Sequence, residues 1–178
     1  MEPSPYLPTT RRFVSPIYLR VEEIDEVANL STEDAARLAA LAAQARSLNE
    51  HDRIDRDAVW AAKRAALELI HPQPRSPRRQ DSFDEFRADE GQGLVDFATW
   101  CVIVEKYGAL PEEWPAGYES PTSPKTLEMA VDQAERVMFW MWLQWLLSLQ
   151  LARVQTDCKA AGMSIGVMQD LAVGVHPR

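Results

Sequence analysis

Apolar side chains fall into a helical rhythm over most of this chain. Behind the polar run Ser31-Thr32-Glu33-Asp34, the residues Ala35, Leu38, Leu41, Ala42, Ala45 and Leu48 share one face, which predicts an amphipathic helix with acids in its first turn. A second helix is predicted from Arg56 to about Ile70. Asp55 caps it, Val59, Ala62, Ala66, Leu69 and Ile70 face inward, and Pro72 and Pro74 stop it. Ser76-Pro77 opens a modest helix in which Phe83 and Phe86 are the only large apolar residues before Gly91. From Leu94 the period resumes through Phe97, Ala98, Cys101, Val104 and Tyr107, and Gly108 ends it. Residues 109–123, with Pro111, Pro115, Gly117 and Pro121, predict a long connection.

Ser123-Pro124 begins the last helical stretch, which reaches Ala161 ahead of Gly162 and would span ~57 Å unbroken. A helix of that length is expected to bend or break. Its middle, Val137 to Leu151, is apolar nearly all round and so belongs inside a protein body. It is too short for a membrane span, and Gln144, Ser148 and Gln150 interrupt it. After Gly162 the period shifts to a short strand-like run, Ile165, Val167 and Met168, followed by Asp170 and a loop. Residues 1–20 carry Pro3, Pro5, Pro8 and Pro16, each of which bars its predecessor from helix, so the opening is extended or turning. The chain thus divides into a strand-like opening segment, 1–21, a helical subdomain, 22–122, and a long helix with one strand and its loop, 123–178. The fold class is mainly α with one or two short strands.

Composition narrows the function. The 178 residues are 46% hydrophobic, enough for one ordinary core. A net charge of −8 argues against capture of a nucleic acid backbone or an anionic membrane. A closed (β/α)₈ barrel needs ~250 residues, so the chain cannot complete one alone. Cys101 and Cys158 lie in apolar-periodic stretches, as buried thiols do in a reducing compartment, and no secretory signal precedes them; the cytoplasm is expected. His51, His71 and His176 stand in separate segments without metal-ligand spacing. Gly91-Gln92-Gly93 lacks the strand and further glycines of a phosphate loop, and no nucleophile elbow is present. Trp140, Trp142 and Trp145 read as core rather than as a sugar-stacking platform, as do Trp60 and Trp100. Trp114 alone sits in the Pro-rich loop. Glu22, Glu23, Asp25 and Glu26 form an acidic cluster with no partner evident in the sequence.

Two residues invite a chemical reading. Asp170 directly follows the apolar run, where barrel and α/β enzymes place polar groups; an acid there serves equally as a turn residue or helix cap. Tyr6, between Pro5 and Leu7, offers a flat apolar face with a hydrogen-bonding tip to a ligand ring, or the same face to the core.

Four strings, in order, resemble the 4-alpha-glucanotransferases of glycoside hydrolase family 77. Ser4-Pro5-Tyr6, Arg11-Arg12-Phe13 and Pro16-Ile17-Tyr18-Leu19 look like the family's opening substrate loop. Ile54-Asp55-Arg56-Asp57-Ala58-Val59-Trp60 with Lys63 is similar to the helical insert of its longer bacterial branch. Phe139, Trp142, Leu143 and Gln144-Trp145 resemble a characteristic helix, and Ile165-Gly166-Val167 through Val175 a barrel strand with its loop. Ser15 stands where the family often has Asn, and Thr9-Thr10 replaces a serine pair. The resemblance implies an internal fragment, a helical insert plus part of a (β/α)₈ (TIM) barrel, in which the apolar face of 137–151 needs neighbouring strands that this chain lacks. The implied reaction needs no cofactor: it transfers α-1,4-glucan segments between maltodextrins through a covalent sugar on an aspartate. The family's reacting carboxylates lie on later strands whose motifs are absent here, so this chain alone is expected to be inactive. Donor-side binding falls to Tyr6, with Ser4 beside it, and Asp170. The alternative is a non-catalytic helical interaction or glucan-binding module.

Overall fold

The computed structural model describes residues 8–170 and 172–175. Five α-helices carry the fold: α1 (Thr32–Ser47), α2 (Arg56–Ile70), α3 (Pro77–Tyr107), α4 (Pro124–Asp132) and α5 (Ala134–Ala160). The described residues form two compact units. One comprises the chain up to Pro77 together with Leu146–Val175, the other Arg78–Trp145.

In the first unit the opening segment folds as 3-10 turns at Pro16–Tyr18, Val21–Glu23 and Asp25–Asn29 rather than as helix or strand. The prolines explain the start of this pattern: Pro16 occupies the first position of its turn, where no amide donor is needed. The two helices that follow begin at side-chain caps. The Ser31 hydroxyl accepts from the Asp34 amide at 3.1 Å, and Asp55 accepts from the Ala58 amide at 2.9 Å. α2 ends at Ile70 ahead of Pro72, with Ala62, Ala66, Leu67 and Ile70 buried. α1 packs against α2, yet none of its residues is fully buried. Leu38, Leu41 and Leu48 are half-covered and Ala35 is exposed, so the predicted inward face is only a shallow contact.

The second unit contains α3, the connection, α4 and the first part of α5. α3 is two helical pieces joined at Gly91, whose φ of 60° and ψ of −148° are not helical. Beyond it Leu94, Ala98, Cys101, Val102 and Ile103 are buried. The connection turns back on itself: the Trp114 indole donates to the Gly108 carbonyl at 2.9 Å, and the Tyr107 and Tyr118 hydroxyls lie 3.4 Å apart. The long last helix breaks, as its length suggested. The break falls at Gln133 (φ −111°, ψ 31°), where α4 gives way to α5.

Two expectations are corrected. The resemblance to a barrel wall implied that the tryptophan-rich helix would need strands from elsewhere to cover it. Instead Trp140, Trp142, Trp145 and Leu143 are buried within the described residues. Within their unit the Phe83 ring lies 5.3 Å from that of Trp145, the Arg79 guanidinium sits over Trp145, and Ser82 accepts from the Trp145 indole at 3.3 Å. Only the later turns of α5, at Leu149, Leu151 and Val154, remain open. Second, no strand forms among the described residues. Ile165 (73% exposed) and Met168 (87%) lie in irregular chain, because a strand takes its hydrogen bonds from a neighbour and none of the described segments supplies one. No described helix is long and apolar enough to cross a membrane.

Candidate functional site

The site is built in the first unit, where the opening segment and the chain after α5 are both tied to helices. Two side chains anchor the opening segment through four hydrogen bonds. The Lys63 ammonium, projecting from α2, donates to the carbonyls of Ile17 and Leu19 at 2.5 and 2.8 Å. Burial lowers the Lys63 pKa below its ordinary value, and Glu22 opposes that shift. The Gln150 amide, on α5, pairs with the backbone of Arg20 in both directions: the Arg20 amide donates to Oε1 at 2.9 Å, and Nε2 donates to the Arg20 carbonyl at 2.8 Å. Leu19, between these anchors, is fully buried.

The acidic cluster finds its partners here. Arg20 pairs with Glu22 at 3.0 Å, and Arg153 of α5 donates to Glu23 at 2.8 Å. Its own backbone amide, and then Arg20, hold the Glu22 carboxyl below the usual carboxylate range. Glu26, the last member of the cluster, is 1% exposed and lies in the interior.

The segment after α5 is tied just as closely. α5 ends in a Schellman turn: Gly162 (φ +95°) donates to the Lys159 carbonyl at 3.0 Å, and Met163 to that of Cys158 at 3.1 Å. The chain then returns along the helix to Gln155. Its Nε2 donates to the Ile165 carbonyl at 3.0 Å and its Oε1 accepts from the Val167 amide at 2.8 Å. Three residues on, Asp170 is exposed. The Arg11 guanidinium closes the arrangement, donating to the Val173 carbonyl at 3.2 Å.

Of the sequence-predicted site residues, Asp170 is thus presented to solvent on a loop. Ser4 and Tyr6 lie outside the described residues. The Arg11 to Val173 bond joins the described part of the opening segment to the loop that follows Asp170. Sequence reasoning noted Lys63 only within a resembling string and missed Gln150, Gln155 and Arg11 as anchors. Among the described residues no group of three or more His, Cys, Asp or Glu side chains is placed to hold a metal ion.

The family model of glycoside hydrolase family 77, described as 4-alpha-glucanotransferase, matches residues 1–178. The chain belongs to this family. It is 48% identical over 177 residues to the 4-alpha-glucanotransferases of Mycobacterium tuberculosis and Mycobacterium bovis, and 28% identical over 186 residues to that of Haemophilus influenzae. These alignments take in 99% and 96% of this chain but 24% and 27% of the relatives, so the chain spans about a quarter of the length of the curated relatives it matches. The amylomaltase of Corynebacterium glutamicum, known from a crystal structure, matches with a TM-score of 0.79 at 47% identity, over 99% of this chain and 23% of that one. The described helices are therefore a section of the amylomaltase fold.

Proposed function

We propose that the protein is a 4-alpha-glucanotransferase that moves α-1,4-glucan segments between maltodextrins. These 178 residues supply its helical section and part of its donor-binding surface. The observation that carries this reading is the family match across the entire chain, with 48% identity to enzymes bearing that name. In such a reaction one carboxylate attacks the anomeric carbon, and a second, ~5–5.5 Å away, protonates the leaving oxygen and later deprotonates the acceptor hydroxyl. Transfer wins over hydrolysis when a sugar, not water, occupies the acceptor position.

In this reading Ser4, Tyr6 and Asp170 bind the donor glucan, and the reacting carboxylates come from chain outside these residues. The Arg11 to Val173 bond supports a common role for the two segments, since it draws the chain beyond Tyr6 toward the loop beyond Asp170. Tyr6 supplies a stacking face for a sugar ring, and Asp170 an acceptor for sugar hydroxyls. A second reading, a glucan-binding module without turnover, draws on the burial of Trp140, Trp142 and Trp145 within this chain.

Incubation of the whole protein with maltotriose separates the two. The transferase reading predicts glucose together with longer dextrins, and a raised KM for the donor in Tyr6→Ala. Binding without products supports the module, and glucose without longer dextrins would mean a hydrolase.

A further inference from the structure

The backbone between Ile165 and Val167 is held by a single side chain. The Gln155 amide gives its N–H to the Ile165 carbonyl and takes the Val167 amide hydrogen, which is the pairing an adjacent β-strand would offer alternate residues. Between them Gly166 has φ +84°, and a Cβ there would stand 2.5 Å from the Gln155 Oε1. The left-handed backbone there favours glycine, and any side chain would press on the Gln155 amide and displace it. The Schellman turn at Gly162 and Met163 sets the return angle that brings the segment to Gln155.

Asp170 is three residues past Val167, so its Cα is at most about 11 Å of extended chain from that of Val167. We propose that Gln155 is a positioning residue for glucan binding: with Gly166 it fixes the register of residues 165–167 and thereby places Asp170, without touching the sugar. The inference rests on the reading of Asp170 as a donor-binding group. Five residues earlier on α5, Gln150 pairs with both backbone groups of the single residue Arg20, so one helix carries an amide clamp for each of the two segments.

The test uses the whole protein and four variants: Gln155→Met, Gln155→Glu, Asp170→Asn and the Gln155→Met/Asp170→Asn pair. Loss of both clamp bonds in Gln155→Met is expected to raise KM for maltotriose about tenfold and to leave kcat within about twofold, with faster hydrogen exchange at the Val167 amide. Gln155→Glu keeps the acceptor for Val167 but not the donor for Ile165, and should fall between wild type and Gln155→Met. Because Gln155 acts through Asp170, the double variant should be no worse than Asp170→Asn alone. Faster exchange with unchanged KM in Gln155→Met, while Asp170→Asn raises KM, would overturn the positioning role and leave the Asp170 reading intact. Effects that multiply in the double variant would also overturn it. An unchanged KM in Asp170→Asn would instead sink the donor-binding reading.

Discussion

Single side chains in this protein do work that their local sequence does not announce. Gln150 and Gln155 look like polar interruptions of an apolar helix. Their roles depend on Arg20, 130 residues away, and on a glycine-bracketed turn, and no periodicity encodes either partner. Cys101, by contrast, was legible, because its place in the repeat of α3 predicted burial. Burial pushes its thiol well above the ordinary 9.0, and Glu105 adds to the shift. The sign follows from that direction. The unfolded thiol ionises near 9.0 while the folded one keeps its proton, so the Cys101 contribution to stability is complete below that pH and is lost as pH rises above it. A thiol reagent at pH 8 should therefore modify the half-buried Cys158 in the folded protein and both cysteines in denaturant. Equal labelling of the two under native conditions would contradict this account of the α3 core.

The helices divide into those whose ends were written in the chain and those whose ends were not. α2 begins at the Asp55 cap and stops before Pro72, at the predicted residues, because both signals are local and strong. The break at Gln133 carries neither proline nor glycine and was legible only as a consequence of excessive length. The run at Ile165 to Met168 has strand composition, but composition cannot provide the neighbour that a strand requires, and among the described residues Gln155 serves two of its backbone groups instead. α1 is supported by its cap and its packing against α2, and none of its residues is fully buried. Removing the cap with Ser31→Ala should cost about 1 kcal/mol of local stability. Amide exchange is the measure: α1 should open well before α2, and more readily still in the variant. Equal protection of α1 and α2 would contradict the weaker hold on α1 that its lack of buried residues implies.

At the scale of the whole molecule, the chain is a section of the amylomaltase fold that spans about a quarter of its curated relatives. The sequence made the family legible through strings scattered from residue 4 to residue 175. It did not reveal that Trp145 would be covered from within the chain, because that depends on Phe83 and Arg79 arriving from α3. The proposed division of labour assigns binding to these residues and bond-making to carboxylates elsewhere in the enzyme. The most direct test is product analysis after the 178-residue chain alone, shown to be folded by its helical circular dichroism, is incubated with maltotriose. The account predicts maltotriose recovered unchanged; glucose accompanied by longer dextrins would place the reacting acids within this chain and contradict it.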